Sequence, residues 1–346
     1  MKNQAMVMTD VRKFELQDIP MPKIGADEIG VQIKSIGICG SDMGFFDGKA
    51  FSIFPNSLPF VLGHEAAGQV YEVGSEVTDF KPGDRVALEP GIPCGKCEYC
   101  QTGRYNLCSH VKFLATPPYE GAMKRYISYP AFKAYKIPDC MSYTAGALCE
   151  PLSVGIHAVQ RGRVSVGKTV TILGGGCIGM STLLAAKAWG ASRIIVCDLF
   201  DSHLEKAEKL GATDVINSKN EDAVKKIMEL TDGIGTDVVF ETAGNAITAA
   251  QTSYIVRNGG TIVMVGNIMN DVPFSFRQIY RKEAEVRGVF RYANTYPVAI
   301  QAISTERIKV EDIVSAVFPF EKSQEAFAEA IDNKVNCVKA VITIDD

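Results

Sequence analysis

No feature of this chain restricts its fold more than the stretch Thr169–Leu173 with the Gly174-Gly175-Gly176-Cys177-Ile178-Gly179 that follows it. A short apolar run ends in Gly-x-Gly-x-x-Gly and opens into a helical pattern over Met180–Trp189. Gly174 allows the tight turn, Gly176 lets backbone N–H groups approach a pyrophosphate, and Gly179 lets helix and strand pack closely. The helix N-terminus then turns its positive end toward the phosphates. A second strand-like run, Arg193–Cys197, leads to Asp198, about 20 residues beyond the last glycine. A carboxylate there accepts hydrogen bonds from both ribose hydroxyls of NAD and repels the extra phosphate of NADP. Leu199-Phe200-Asp201-Ser202 offers no cation to hold that phosphate, so NAD is expected. The bland alternative is a tight turn beside an incidental acid.

The alternation continues. Asp214–Ile216, Val238–Glu241, Thr261–Val265 and Val286–Val289 read as further strands, with helical stretches such as His203–Leu210 between the early ones. Six strands of this kind predict an α/β, doubly wound parallel sheet of Rossmann type. The first ~150 residues differ. Ile29–Ile36, Ala67–Val73 and Arg85–Leu88 read as strands, Gly74, Gly83 and Gly91 as turns, and no long amphipathic helix is expected before about residue 142. That describes a β-rich domain. The last ~50 residues break the alternation again, which suggests a return to the first domain.

A length of 346 residues suits two domains. The net charge of -4 provides no basic field for nucleic acid or anionic lipid. Residues 1–10 lack the basic-then-apolar pattern of a signal peptide, and no apolar run is long enough to span a bilayer. A soluble cytoplasmic protein without nucleic-acid or membrane partners is the expectation.

Four of the ten cysteines crowd into Cys94-x2-Cys97-x2-Cys100-x7-Cys108, between turn signals at Gly95 and Gly103. Thiolates at this spacing can wrap one tetrahedral ion, and four of them leave no position for substrate, so a structural zinc is expected. The alternatives are an iron–sulfur cluster, which commonly has Pro after its last cysteine where Ser109 stands here, and a disulfide, disfavoured in a reducing compartment.

Three separate segments carry the chemistry of a catalytic metal: Ile38-Cys39-Gly40-Ser41-Asp42, Gly63-His64-Glu65 and Cys149-Glu150-Pro151. Cys, His and Glu all ligate zinc, and a catalytic zinc keeps one position open. Singly, each has a structural explanation: Cys39 as a small buried apolar residue, His64 as a hydrogen-bonded core histidine, the glutamates as solvated acids. No spacing rule joins the three segments.

These motifs resemble those of the zinc-containing medium-chain dehydrogenases, in particular the sorbitol (L-iditol) dehydrogenase branch. The resemblance runs through Gly37–Asp42, Gly63–Gly68, Pro82–Val86, Gly103–Cys108, Ala115–Pro118, Glu150–Ala158 and Gly288–Thr295. It implies a GroES-like catalytic domain built from residues 1–153 and 294–346, with a structural zinc lobe at 91–110 and a Rossmann domain at 154–293 inserted. The active site is then expected in the cleft between the domains. It implies Cys39, His64 and Glu65 as ligands of the catalytic zinc, with Glu150 touching the metal, its water or the substrate. Ser41, the bound water and Glu150 become candidates for carrying away the hydroxyl proton. Phe45, Thr116, Arg291 and Tyr292 are expected near substrate. Gly174, Gly176, Cys177, Ile178, Gly179, Asp198, Val265, Gly266, Asn267, Phe290 and Arg291 are expected around the dinucleotide. Relatives commonly have His-Tyr, whose tyrosine contacts substrate, where this chain has Gly44-Phe45. The implied activity is oxidation of a secondary alcohol of a small polyol by NAD, in a homo-tetramer or homo-dimer. The rivals are an amino-alcohol dehydrogenase of the threonine type, a non-enzymatic NAD-binding protein on the same fold, and a zinc hydrolase, for which the dinucleotide motif would have no use.

Overall fold

The computed structural model describes residues 2–345. Contacts divide the chain into two compact units, one of residues 1–150, 296–305 and 314–346, the other of 151–295 and 306–313. The bounds read from the sequence, 153 and 294, lie within a few residues of these divisions, but 306–313 belong with the second unit.

The first unit is built on a seven-stranded sheet in the order Ala134–Lys136, Arg85–Leu88, Glu65–Val73, Glu28–Gly37, Ala340–Thr343, Ala316–Pro319, with Tyr126–Pro130 also paired to Glu28–Gly37. The C-terminal strand Ala340–Thr343 runs antiparallel to Glu28–Gly37 and parallel to Ala316–Pro319. Both ends of the chain thus build one domain. Inward-facing Ile29, Val31, Ile33 and Ile36, all essentially inaccessible, continue into a core with Val70, Val86, Phe320 and Phe327. Burial of such side chains contributes about 1.5–3 kcal/mol each. Helices before residue 142 are short, the longest being Gly40–Phe46. Gly91 was expected in a turn. It starts the two-residue strand Gly91–Ile92, which pairs with Lys112–Phe113, because the segment between them folds back as a lobe.

The second unit holds a six-stranded, all-parallel sheet in the order Asp214–Asn217, Arg193–Asp198, Thr169–Leu173, Thr236–Glu241, Val256–Met264, Glu285–Gly288. This is the doubly wound order, whose reversal beside the first strand creates a crevice at the strand C-termini. Val256–Met264 begins five residues before the expected Thr261, since Val256 pairs with Thr236 and the Arg257-Asn258-Gly259-Gly260 segment is absorbed as an irregularity. Gly259 takes a positive φ of 68° there. Helices Cys177–Ala188 and Asp201–Leu210 follow the first two strands, the latter ending on Gly211 in the left-handed region. Among the described residues, no helix is long and apolar enough to cross a membrane.

Candidate metal and dinucleotide sites

Strand register creates the first site. Gly37 pairs with Glu65 across Glu28–Gly37 and Glu65–Val73. A Cβ on Gly37 would lie 2.0 Å from Glu65 Oε2, so any larger residue there displaces that carboxylate. Cys39 follows two residues later at the start of helix Gly40–Phe46, and His64 directly precedes Glu65. One ligand atom from each of Cys39, His64 and Glu65 lies within 4.8 Å of the others.

Two buried residues that the sequence did not single out hold this trio. Asp42 accepts from Gly63 N through Oδ1 at 3.2 Å and from Cys39 N through Oδ2 at 3.3 Å, tying the two ligand loops together. Its Oδ2 also faces His64 Nδ1 at 3.3 Å, which leaves Nε2 for a metal. Lys339, on the returning C-terminal segment, donates to Glu65 Oε1 at 2.6 Å, contacts Oε2 and donates to Ile38 O at 2.9 Å. Burial pushes the His64 imidazole toward its neutral form. Interactions with Asp42 and Cys39 outweigh it and raise its pKa well above the ordinary value. A buried pocket this rich in negative charge suits a dication, and the donor set of thiolate, imidazole and carboxylate fits zinc.

The remaining expected residues of this unit lie at varied positions. Glu150 is buried in the first turn of helix Cys149–Gly162, but it is not among the three grouped ligands. Ser41 is exposed in the first turn of Gly40–Phe46. Thr116 donates through its N–H to Phe113 O at 3.1 Å. Phe45, expected near substrate, is a core residue whose ring stacks on Phe54 at 5.5 Å.

The second cluster lies in the lobe between the paired strands Gly91–Ile92 and Lys112–Phe113. Cys97 precedes helix Glu98–Gln101, and Cys108 ends the turn Tyr105–Leu107. The four sulfur atoms lie within 4.8 Å of one another, with Cys94–Cys100 at 3.9 Å and Cys97–Cys100 at 3.4 Å. Tetrahedral zinc at about 2.3 Å from each sulfur requires separations near 3.8 Å, so the set fits. N–H groups of Lys96 and Cys97 pull the Cys94 thiol down to about 6, while burial and the neighbouring thiols push Cys100 up to about 12. Beside the lobe, buried Lys133 pairs with buried Glu89 at 3.0 Å and lies 3.7 Å from the centre of the Tyr105 ring.

In the second unit, Gly174 has a φ of 107°, and a Cβ on Gly179 would lie 1.9 Å from Gly174 O. Both requirements are specific to glycine. Asp198 Oδ2 accepts from Gly175 N at 2.6 Å, and Oδ1 accepts from Leu199 N at 2.7 Å and Phe200 N at 3.0 Å. Burial opposes ionisation of Asp198, but His203 and these N–H groups prevail and hold its pKa below the ordinary value. The carboxylate is therefore charged and pinned at the strand end, with His203 Nδ1 also 3.4 Å from Oδ1. Val265 N and Gly266 N both donate to Glu241 O. The buried Glu241 side chain accepts from Ala243 N, Gly244 N and Thr248 Oγ1, so one residue braces the ends of two adjacent strands. No sequence signal separated Glu241 from an ordinary strand acid. Gly176, Cys177 and Ile178 form the turn into the first helix, and Asn267 is exposed. Arg291, at a φ of 55°, lies over the exposed Phe290 ring, and Tyr292 is buried.

A family model of the alcohol dehydrogenase GroES-like domain matches residues 25–139, and one of zinc-binding dehydrogenases matches residues 177–305. A sorbitol dehydrogenase from Bacillus subtilis (strain 168) is 42% identical over 340 residues, covering 98% of this chain and 96% of the relative. An Escherichia coli oxidoreductase/dehydrogenase of unknown specificity superposes with a TM-score of 0.96 at 43% identity, covering 100% of both chains. A short chain alcohol dehydrogenase from E. coli CFT073, complexed with NADH, superposes with a TM-score of 0.92 at 26% identity over 99% of each chain.

Proposed function

Because the chain belongs to the zinc-containing medium-chain dehydrogenases, in their sorbitol dehydrogenase branch, and is thus a zinc-dependent alcohol dehydrogenase, we propose that it oxidises a secondary hydroxyl of a small polyol to a ketone with NAD. One observation carries this reading: Cys39, His64 and Glu65, from segments that no spacing rule connects, converge within 4.8 Å. Three protein ligands leave the open position that a catalytic zinc needs, whereas the closed four-thiol lobe suits a structural one. Bound zinc supplies the Lewis acidity that lowers an alcohol's pKa, and bound NAD supplies the hydride acceptor.

The chain's own residues do the rest. Asp42 orients His64, and Lys339 fixes the Glu65 carboxylate. In this proposal Glu65 is the ligand, and Ser41 Oγ and the Glu150 carboxylate carry the departing hydroxyl proton. Thr116, Arg291 and Tyr292 face the polyol, and the Phe45 ring gives an apolar boundary where relatives have a hydroxyl. The loop 174–179 takes the pyrophosphate, Asp198 the adenosine ribose, and 265–267 with Phe290 and Arg291 the nicotinamide end. Charged Asp198 supports NAD over NADP. The β-rich unit is the catalytic domain and the parallel-sheet unit the dinucleotide domain. Exposed Val286 on the edge strand Glu285–Gly288, with exposed Phe276 and Tyr280, supports a homo-dimer or homo-tetramer, which light scattering would reveal.

The test is NADH formation with sorbitol, xylitol, galactitol, L-arabinitol, threonine and simple alcohols, using NAD or NADP, with and without chelator. Chelator-sensitive oxidation of a polyol with NAD is expected. Turnover of threonine alone, or of no polyol by zinc-loaded protein, overturns the substrate. Asp198→Ala should weaken NAD binding about 10- to 100-fold, the effect of hydrogen bonds to a charged group worth about 1.5–3 kcal/mol; an unchanged KM for NAD would remove Asp198 from the site.

A further inference from the structure

We propose that Phe113 couples the two metal sites of the first unit: it is a positioning residue that holds the His64 imidazole in its ligating orientation, and it is itself held there by closure of the four-thiol lobe. The proposal rests on the function above, in that both clusters bind metal.

The lobe joins the rest of the unit through the paired strands Gly91–Ile92 and Lys112–Phe113. Cys94 lies just beyond one strand, Cys108 just before the other, and Cys94 N donates to Cys108 Sγ at 3.5 Å. A ladder of two residue pairs is too short to keep its own register in water. Four thiolates gathered round one ion would clamp it, because the ladder is the base of the loop that they close.

Phe113 lies opposite Gly91 in this ladder. A Cβ on Gly91 would make an ordinary contact with Phe113 Cδ2 at 3.4 Å, so the ring lies beside the glycine. The ring also packs on His64, with centroids 5.5 Å apart and planes inclined at 56°. The contact of Asp42 with Nδ1 restrains the imidazole along one edge and leaves its face to packing. Phe113 supplies the second restraint. Partners that orient a ligating histidine typically matter 10- to 100-fold in metal affinity. Leu114 N donates to Pro90 O at 3.1 Å, which extends the same path along the lobe base.

The experiment uses the full-length holoenzyme, with native mass spectrometry to count metals and cobalt(II) exchanged into the Cys39–His64–Glu65 site as a spectroscopic reporter. Cys100→Ser should lose one metal, shift the visible cobalt bands of the remaining site and release that cobalt about tenfold faster. Phe113→Leu should keep both metals yet shift the same bands in the same direction, and Phe113→Tyr, which keeps the flat face, should restore them. The double variant should be no worse than the more severe single one, as expected for one shared path. Cobalt bands and release that are unchanged in Phe113→Leu overturn the proposal, even if Cys100→Ser fails to fold. So does a Cys100→Ser protein that loses its lobe metal with unaltered bands, or fully additive effects. Wild-type protein without metal at Cys39–His64–Glu65 removes both this proposal and the function. Wild-type protein with both metals and no polyol turnover defeats the function alone, since the cobalt readout does not depend on substrate.

Discussion

Cys94, Cys97, Cys100 and Cys108 meet inside one short lobe, whereas Cys39, His64 and Glu65 meet because two strands pair in a particular register. Local turns bring the four thiols together. The other site needs Gly37 opposite Glu65, Asp42 bridging two loops, and a lysine from the far end of the chain. The closed site can hold only structure. The open one requires the whole domain, so its geometry is as stable as the sheet that builds it.

The contrast can be broken most directly at the ligands. Cys39→Ala should abolish alcohol oxidation while the protein stays folded and binds NAD, as read by turnover and NADH fluorescence titration. Cys97→Ser should instead lose the lobe metal and lower the melting temperature, while the folded protein keeps part of its turnover and releases metal from the three-ligand site faster. Full turnover in Cys39→Ala would dissolve the distinction between the sites.

The next effect concerns Lys339. Lys339→Met leaves the Glu65 carboxylate buried without its cation, a loss of about 3–5 kcal/mol that denaturant unfolding of the metal-free protein would show. Zinc should recover part of this, because the ion replaces the missing charge. An equal loss with and without zinc would mean that Glu65 does not face the metal.

Gly37→Ala tests the register itself. The new methyl collides with the Glu65 carboxylate, and an overpacked core typically loses about 1–3 kcal/mol. Metal affinity at Cys39–His64–Glu65 should fall with it, while the lobe keeps its metal. The smallest effect is kinetic: a bidentate chelator should remove metal from the three-ligand site before the four-thiol one, as followed by metal release against activity. Simultaneous release would argue that the two sites open together.

Much of the parallel-sheet unit was legible because its signals are local. Thr169–Leu173 appears as a strand with the expected bounds, the glycine turn follows it, and Asp198 ends the next strand. The early start of Val256–Met264 was hidden by Arg257-Asn258-Gly259-Gly260, which has turn chemistry and is held in the sheet by its neighbour. The four cysteines were equally plain, since their spacing is the site. Cys39, His64 and Glu65 were nameable through resemblance, but nothing in their spacing joined them. Lys339, Phe113 and Glu241 carried no signal, and Asp42 stood in the Gly37–Asp42 motif without a role, because an acid, a lysine or an aromatic in a strand or short helix is ordinary until its partner is known.

By itself, then, the amino-acid sequence determined whatever depends on neighbours in the chain: strand periodicity, the glycine turn, the acid after the second strand and the thiol cluster. The tertiary structure alone decided which distant residues share a buried site, which carboxylate is paired with lysine, and which ring packs on His64. The physical reason is that local conformational preferences act over a few residues, whereas a metal pocket of this kind is set by strand register and packing between segments as far apart as 39 and 339.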